Sequence, residues 1–383
     1  MFETDTLAIL YGVQATGNGH ITRSREMVKA LRDRGHHVEV IVSGRKKEDL
    51  WGMEPFKPFH HFEGLTFQTE KGRVQLLQTL AKARPFQMLR DVRSFPAKHI
   101  DLVVTDYEPI SARVAAQHGI PCIGIGHQYA FEYDIPKANF NPVNKWFMSE
   151  FAPVDIGVGL HWHHFDQAIL PPIIPRITQF ERPLKNTTLV YLPFEDHSKL
   201  LKILRNFPSQ RFILYSDQVP AGRNGHITVK PHSRETFPVD LAMAEGVICN
   251  SGFELPSEAI SLGKKILVKP LKGQPEQSSN AMAMNALKVG HTTDDISVLS
   301  IQDWLRSELR GQICFPQVVP ALIDWLEAGQ WDKVSLGLLA EQIWSGVYED
   351  PVLSWEMENS LDDEDMELEV LMGADQSPTV WCR

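Results

Sequence analysis

Two small residues and a carboxylate stand close together in the stretch from Gly246 to Ala281. Ser251 and Gly252 follow a short apolar run, Val247 to Cys249, that is typical of a buried strand, and they precede a segment with helical spacing. Free backbone N–H groups and the helix dipole at such a turn favour an anion, and a phosphate is the natural one. Glu258, further along the predicted helix, would repel a phosphate unless it accepted hydroxyl donors such as a ribose diol. The three residues together predict a nucleotide site.

A second candidate centre lies near the amino terminus. An apolar strand from Leu7 to Val13 runs into a loop that contains Gly17, Asn18 and Gly19, and His20 stands at the start of the helix that follows. Imidazole titrates near neutrality, which makes His20 the best candidate for a general base. The sequence therefore predicts a catalytic histidine at the beginning of this helix.

Two further polar residues fall at strand ends. The run DLVVTD predicts a strand that ends at Asp106, and IPCIGIG predicts the next strand, which ends before His127. Ligands of open α/β sheets bind at the carboxyl ends of the strands, so both side chains should lie near His20. Asp106 is accordingly the second candidate for the catalytic base.

The chain alternates strand-like and helical segments throughout, which predicts an α/β protein built from βαβ units. The run PPIIPR, from Pro171 to Arg176, suits neither a helix nor a central strand and is interpreted as the linker. A chain of 383 residues is long enough for two cores. The predicted parts are an N-terminal domain, a linker, a C-terminal nucleotide-binding domain and an acidic, disordered tail, over residues 1–172, 173–184, 185–348 and 349–383.

The central stretch carries an ordered set of motifs. The turn and helix give S-G-x-x-x-x-S-E, the next strand gives G-x-x-x-x-V-x-P, and the following helix begins with Q-x-x-N-A. This pattern resembles the donor half of two-domain (GT-B type) nucleotide-sugar glycosyltransferases, and in particular the family 28-like enzymes that add N-acetylglucosamine to the lipid-linked peptidoglycan precursor. The matching residues are Ser251, Gly252, Ser257, Glu258, Gly263, Gln277, Asn280 and Ala281.

The resemblance implies two Rossmann-like domains that face each other across a cleft, the acceptor on the N-terminal side and the donor on the C-terminal side. It implies an inverting transfer of a sugar from a nucleotide diphosphate sugar, expected to be UDP-linked, to an unknown hydroxyl acceptor, which is a glycan, a lipid or a small molecule. No cofactor beyond this co-substrate is implied. The implied donor-binding residues are Arg176, Ser251, Gly252, Glu254, Glu258, Gln274, Glu276, Gln277 and Asn280, and those of the acceptor-side loop are Gly17, Asn18, Gly19 and His127.

Two loops depart from the family pattern. Gln14-Ala15 and Asn18-Gly19 stand where relatives have two glycine doublets, which puts the peptidoglycan acceptor in doubt. The stretch from Pro193 to Asp196 replaces another glycine loop, and its two acidic residues argue against a direct phosphate contact there.

We expect no metal ion in the site. The only D-x-D motif, Asp363-Glu364-Asp365, lies in the tail, so helix amino ends and Arg176 are expected to hold the leaving diphosphate. The nearby histidines at positions 161, 163 and 164 cannot all face one ion if their segment is extended. This cluster is therefore not interpreted as a metal site.

Charge is distributed unevenly along the chain. From Glu349 to Arg383 there are 11 acidic residues and one base, whereas the rest holds 37 acidic and 37 basic residues. A neutral body argues against a nucleic-acid binder. The four cysteines form neither a zinc-like pattern nor a disulfide framework, and no apolar run approaches membrane-spanning length. A cytoplasmic protein is expected, with peripheral contact to the inner membrane face as its only membrane association.

Two other functions stay open at this point. A nucleotide-sugar 2-epimerase shares the architecture and would use Glu254, Glu276 and Asp106 around the sugar. A non-catalytic nucleotide-sugar or carbohydrate-binding protein stays open because the glycine loops are altered.

The acidic tail also has two interpretations. Its dense charge without helical period predicts a solubilising, disordered end. The alternative is that it docks on a basic surface beside His20, formed by Arg23, Arg25, Lys29, Arg32, Arg34, Arg45, Lys46 and Lys47.

Overall fold

The computed structural model describes residues 6–50, 52–63, 69–70, 73–74, 85–138, 142–175, 183–308 and 311–349. Within these ranges the chain folds around two seven-stranded sheets that are flanked by helices. No helix found there is long and apolar enough to cross a bilayer. The predicted α/β architecture with two Rossmann-like halves is confirmed.

The first sheet is parallel throughout. Its strands are β1 (Ala8–Gln14), β2 (His37–Ser43), β3 (Phe59–His61), β6 (Leu102–Asp106), β7 (Cys122–Gly126), β8 (Ile156–Leu160) and β9 (Ile169–Leu170), and a separate antiparallel pair is formed by β4 (Thr69–Glu70) and β5 (Arg73–Val74). The order across the sheet is β3-β2-β1-β6-β7-β8-β9. The strands β6 and β7 are buried along their whole length, as expected for parallel strands between two helical layers.

The helices of the first half follow the predicted pattern of apolar faces and end signals. They are α1 (Asn18–Asp33), α2 (Pro85–Ser94), α3 (Pro109–His118), α4 (His127–Ala130) and α5 (Pro142–Phe151). The apolar face of α1 is buried, as its 3.6-residue spacing predicts. The carboxylate of Glu108 caps α3 by accepting the N–H groups of Ile110 and Ser111, and Gly119 ends the helix at φ +66°.

The second sheet repeats the design of the first. Its strands are β10 (Leu184–Tyr191), β11 (Arg211–Tyr215), β12 (Gly222–Asn224), β13 (Ile227–Lys230), β14 (Ala244–Asn250), β15 (Lys265–Lys269) and β16 (His291–Thr292). The order is β12-β13-β11-β10-β14-β15-β16, and all neighbours are parallel except β12 and β13. A further antiparallel pair joins β17 (Ile313–Cys314) to β18 (Tyr348–Glu349).

Three helices of the second part of the chain start at a residue whose side chain caps them. The helices of this part are α6 (His197–Leu204), α7 (Thr236–Met243), α8 (Glu254–Ser261), α9 (Pro275–Ala286), α10 (Val298–Arg306), α11 (Val318–Ala328) and α12 (Lys333–Trp344). Asp196 caps α6, and both Ser297 and Asp332 form capping boxes on their helices.

The last two helices lie against the first half of the chain. On α11, Glu327 accepts a hydrogen bond from Arg34 at 2.8 Å, next to the end of α1. On α12, the Nε1 of Trp344 donates to the carbonyl oxygen of Ile169 in β9 at 2.6 Å. The sequence predicts residues 318–347 as part of the C-terminal domain, whereas in the structure these two helices contact Arg34 and β9 of the first half.

The two halves also meet through a buried apolar layer. Trp162, just after β8, is fully buried and stacks on Phe253 of the second half with ring centroids 5.6 Å apart. The Nε1 of Trp162 donates to the Ser257 hydroxyl at 2.8 Å. This layer holds the loops after β7 and β8 against the start of α8.

Each sheet contains a point at which its strand order reverses. In the first sheet β1 lies between β2 and β6, and in the second sheet β10 lies between β11 and β14. Open α/β sheets bind ligands at the carboxyl ends of the strands beside such reversals. The segments that follow β1, β6 and β14 are therefore the ones to inspect for a site.

Candidate active site

Neighbouring strands bring His20 and Asp106 together. The strands β1 and β6 pair in parallel, so the loop after β1 and the last residue of β6 lie at the same edge of the sheet. The helix α1 begins at Asn18, so His20 is part of its first turn and not of the preceding loop. Gly17 is the N-cap residue, in an extended conformation and without a side chain to cap the helix. The helix start therefore fixes the backbone of His20.

The Asp106 carboxylate is buried and accepts four hydrogen bonds. Its Oδ1 lies 2.8 Å from His20 Nδ1 and 2.6 Å from Arg23 Nη2. Its Oδ2 accepts from Arg23 Nε at 2.8 Å and from the Ser24 hydroxyl at 3.0 Å. Burial alone would raise the pKa of Asp106, but Arg23 and His20 together hold it below its ordinary value. Asp106 is therefore an ionised acceptor.

The ionised carboxylate fixes the tautomer of His20. Because Asp106 Oδ1 can only accept, His20 Nδ1 carries the proton and donates it. The Nη2 of Arg23 lies 2.8 Å from Nδ1 because both atoms point at the same oxygen. The Nε2 of His20 is then left with its lone pair, which is the arrangement that a general base needs.

Sequence reasoning did not identify Arg23 as a site residue. It was grouped with the basic surface, yet it is 3% exposed and spans the two halves, with its Nη1 3.3 Å from Glu254 Oε2. Arg23 lies three residues after His20, so both side chains are on one face of α1. This spacing is the feature of the sequence that could have identified Arg23. Arg23 is thus a positioning residue for the His20–Asp106 pair.

The Ser251–Gly252 turn lies at the end of β14, as predicted, and is held by α9. The Ser251 hydroxyl donates to the carbonyl oxygen of Gln277 at 2.7 Å, and Asn280 Nδ2 donates to the carbonyl oxygen of Ser251 at 3.0 Å. Because α8 begins at Glu254 without a side-chain cap, and Pro256 has no N–H, the N–H groups of Glu254 and Leu255 are the ones that an anion at this turn could meet. The turn has the properties of an anion site.

Glu258 lies one turn further along α8. Among the described residues, no side chain forms a hydrogen bond or ion pair with its carboxylate, and burial raises its pKa to about 8. A half-buried carboxyl group without a protein partner is suited to a ligand that brings its own donors. The sequence predicts that this carboxyl group contacts the hydroxyl groups of a ribose.

The start of α9 brings Gln274, Glu276 and Gln277 to the cleft. The Oε1 of Gln277 accepts the Leu271 N–H at 2.9 Å, so this side chain also braces its own loop. The Oε2 of Glu276 accepts from Gln128 Nε2 at 3.2 Å, a contact between the two halves. Gln128 follows directly after β7 and was not singled out from the sequence.

His127 is buried and does not face the cleft as an acceptor-side residue would. Its Nδ1 lies 2.8 Å from the carbonyl oxygen of Leu160, its Nε2 lies 2.6 Å from Asn280 Oδ1, and its ring stacks on Phe253 at 4.0 Å. Burial lowers the pKa of His127. The structure thus pairs His127 with Asn280, two residues that the sequence assigned to opposite sides of the site.

Several buried side-chain oxygens of the described residues have no hydrogen-bond partner. Within these ranges five buried side-chain polar atoms lack a partner, and four of them are oxygens. They belong to Gln128, Asn250, Glu254 and Gln274. Oxygens of this kind can accept hydrogen bonds from a ligand, and the hydroxyl groups of a sugar are suitable donors.

Other residues marked by the sequence have different roles. Arg176 lies outside the described residues. The Nδ1 atoms of His161, His163 and His164 each accept a nearby backbone N–H. In the part of the chain that the structure describes, no group of three or more His, Cys, Asp or Glu side chains could hold a metal ion.

The acidic loop after β10 is neutralised within the protein. Glu195 pairs with Lys269 at the end of β15, and Asp196 caps α6. Neither carboxylate is therefore an uncompensated charge in the cleft.

The proposed basic surface is not a free surface. Arg23 is buried, Arg34 pairs with Asp324 and Glu327, and Lys29 pairs with Asp33. The remaining arginines of the set, Arg25, Arg32 and Arg45, donate to backbone or side-chain oxygens nearby. An acidic tail would have to compete with these contacts.

The fold is shared by solved glycosyltransferases. One is the glycosyltransferase of kitacinnamycin, with TM-score 0.55 and 14% identity over 89% of this chain and 96% of that one. Another is a UDP-glucosyltransferase from Polygonum tinctorium, with TM-score 0.55 and 16% identity over 89% and 99%. A third is SnogD from Streptomyces nogalater, with TM-score 0.51 and 15% identity over 88% and 99%. Two Rossmann-like halves with a cleft between them define the GT-B class.

The sequence assigns the chain to a family within that class. The model of glycosyl transferase family 1 matches residues 7–149 and 161–308, which is more than half of the chain. The protein belongs to glycosyl transferase family 1 and is a glycosyltransferase. Among curated proteins, none matches the sequence.

Proposed function

We propose that the protein transfers a sugar from a nucleotide diphosphate sugar, with UDP as the nucleotide, to a hydroxyl acceptor, with inversion and without a metal ion. The observation that carries the proposal is the His20–Asp106 pair, joined at 2.8 Å at the strand reversal of the first sheet. It lies beside α8, whose uncapped start follows the Ser251–Gly252 turn. This arrangement supports the proposal of a base on one half and an anion site on the other.

The proposed reaction is a single displacement. The His20 Nε2 takes the proton of the acceptor hydroxyl while the acceptor oxygen bonds to the anomeric carbon. The bond from that carbon to the phosphate oxygen breaks on the opposite face, and the nucleoside diphosphate leaves with the electron pair. Asp106 stabilises the imidazolium that forms, and the amino end of α8 and Arg176 stabilise the leaving diphosphate.

The polar groups of the cleft support a donor rich in hydroxyl groups. Glu258 has no partner among the described residues, and Gln128, Asn250 and Gln274 each present an unpartnered oxygen. We assign the ribose to Glu258 and the sugar hydroxyls to Glu276 and its neighbours. A similar structure contains UDP-2-fluoro-glucose and another contains UDP, which supports UDP as the first nucleotide to test.

The acceptor is a glycan, a lipid or a small molecule with a hydroxyl group. We propose no other cofactor and no nucleic-acid partner. The proposed location is the cytoplasm, with peripheral contact to the inner membrane face in the case of a lipid acceptor.

The test combines nucleotide binding with turnover. UDP, GDP and dTDP are titrated into the protein, and nucleotide release from the matching sugar donor is then followed with an acceptor panel. We expect His20→Ala to reduce turnover by about 10²–10⁴-fold with little change in donor affinity. His118→Ala, an exposed histidine at the end of α3, is the matched control and should keep full activity.

Three results would contradict the proposal. Full activity of His20→Ala would remove the base assignment and direct attention to Asp106. Conversion of the donor sugar without an acceptor would indicate an epimerase. Binding without any turnover of the donor would indicate a non-catalytic binding protein.

A further inference from the structure

The Glu254 carboxylate lies where two helix amino ends meet. Glu254 is the first residue of α8, and its side chain packs on Gly19 in the first turn of α1: a Cβ at Gly19 would lie 3.0 Å from Glu254 Cβ and 3.8 Å from its Oε2. The N-cap residues of the two helices, Gly17 and Phe253, form no side-chain cap. Both helix dipoles therefore favour a negative charge at this place, and the carboxyl group of Glu254 is the protein's own group there.

A cation faces the same carboxylate. Arg23 is anchored on Asp106 through Nε and Nη2, and its remaining Nη1 reaches Glu254 Oε2 at 3.3 Å. The other oxygen of Glu254, Oε1, is buried and has no partner, although the residue is only 8% exposed. An ionised Glu254 carboxylate is thus stabilised by one long ion pair and by two helix ends, which is weak stabilisation for a buried charge.

The charges around Glu254 act in opposite directions. Burial raises the pKa of Glu254 to about 8, helped by the carboxylates of Glu258 on the same helix and Asp106 on β6, while Arg23 lowers it. When Glu254 and Glu258 are ionised together with Asp106, the negative charge at this place exceeds the positive charge of Arg23. A bound phosphate would add to this excess.

We propose that Glu254 is the resident anion of the donor-phosphate site: a phosphate group of the nucleotide takes its place between the two helix ends and Arg23 Nη1. Where the free protein holds Glu254 ionised, the residue takes up one proton from solvent as the phosphate binds. The inference rests on the proposed function, and it replaces the direct donor contact that the family resemblance assigned to Glu254.

The pH dependence follows from the protonation of Glu254. Below about pH 8 the free protein already holds Glu254 neutral, and the phosphate meets no competing charge. Above about pH 8 the carboxylate is ionised and must be protonated for the phosphate to bind. Nucleotide affinity should then fall about tenfold for each further pH unit.

The test is the binding of UDP from pH 6 to pH 9 by titration calorimetry. The full chain is compared with Glu254→Gln, which keeps the shape and removes the charge, and with Glu254→Ala. Glu327→Gln is the matched control, because Glu327 contacts Arg34 beyond the far end of α1, roughly 20 Å along the helix axis from Gly19. Buffers with different ionisation enthalpies report the protons taken up on binding, and thermal unfolding confirms that each variant folds.

We expect the wild type and Glu327→Gln to bind UDP about tenfold more weakly at pH 9 than at pH 7, with uptake of close to half a proton at pH 8. Glu254→Gln and Glu254→Ala should show no proton uptake and should bind UDP about tenfold more tightly than the wild type at pH 9. Identical pH profiles and proton uptake in the wild type and both Glu254 variants would overturn this inference and leave the proposed function intact. Failure of UDP, GDP and dTDP to bind any of these proteins would overturn both.

Discussion

The role of general base that we propose for His20 depends on Arg23 as well as on Asp106. Arg23 binds both oxygens of the carboxylate and so keeps Asp106 ionised in a buried place. The ionised carboxylate in turn holds the Nδ1 proton of His20. The same carboxylate oxygen contacts His20 and Arg23, so Asp106 also stabilises the positive charge that His20 gains during proton transfer.

Glu258 gives the first prediction at the scale of the residue. Glu258→Ala should weaken UDP binding by about 0.5–1.5 kcal/mol at pH 7, because a hydrogen bond to the ribose is lost and a carboxyl group with a pKa of about 8 is mostly neutral at this pH. Calorimetry at pH 7 measures the change. The comparison variant is Asp324→Ala, which removes an exposed carboxylate on α11. Equal UDP affinity in wild type and Glu258→Ala would remove the ribose assignment.

The residues of the site differ in how far the sequence could predict them. His20 and Asp106 follow from their positions at the ends of predicted parallel strands, which meet at one edge of a sheet. Arg23 and Gln128 do not follow, because a basic or amide side chain at a helical position is most often exposed. His127 was placed on the acceptor side because strand position does not show which way a side chain turns.

At the scale of the elements, the position of α4 depends on a close approach to β8. A Cβ on Gly159 would lie 2.8 Å from Ala130 Cα and 2.9 Å from its backbone nitrogen. Because both are backbone atoms, the helix itself would have to move. The helix α4 begins with His127, so its position also sets the contact between His127 and Asn280.

We expect Gly159→Ala to destabilise the protein by roughly 1–3 kcal/mol, the scale of overpacking in a buried layer. Gly337→Ala is the control with the opposite sign. A Cβ at Gly337, inside α12, meets nothing within 4 Å, so alanine should stabilise the helix by about 0.5–1 kcal/mol. Urea unfolding of both variants measures the two changes. Equal stability of Gly159→Ala and wild type would show that the helix has room to shift.

The elements themselves were largely predictable, and their partners were not. The period of apolar residues and the capping signals placed α3 from Pro109 to His118 and α11 from Val318. The same period shows that α11 and α12 each have an apolar face, but it does not show which sheet that face covers. This is why residues 318–347 were assigned to the C-terminal domain.

At the scale of the whole molecule, the negative charge is concentrated in the last part of the chain. Residues 350–383 lie outside the described residues, and most of the basic residues proposed to receive them are buried or paired, Arg23 and Arg34 among them, whereas Lys46 and Lys47 are exposed. The solubilising interpretation of the tail needs no docking surface. It is the one we carry forward as a prediction.

Truncation after Glu349, which keeps β18, should leave UDP affinity and turnover within about twofold of the full chain. The expectation is the same at low and high salt. Salt weakens docking between charged surfaces, with a Debye length of about 10 Å at 0.1 M, and a tail that is not docked does not respond to this screening. Titrations at 20 mM and 500 mM NaCl test it. A salt-dependent gain in acceptor-side kinetics or in vesicle binding after truncation would instead support the docked tail.

The contacts of α11 and α12 with the first half mean that the polypeptide passes between the two halves more than once. It passes between β9 and β10 and between β17 and α11, and the pairing of β18 with β17 brings it back after α12. Several connections restrict the relative motion of two bodies more than a single linker does. We therefore expect the two halves to move against each other less than domains that are joined by one linker.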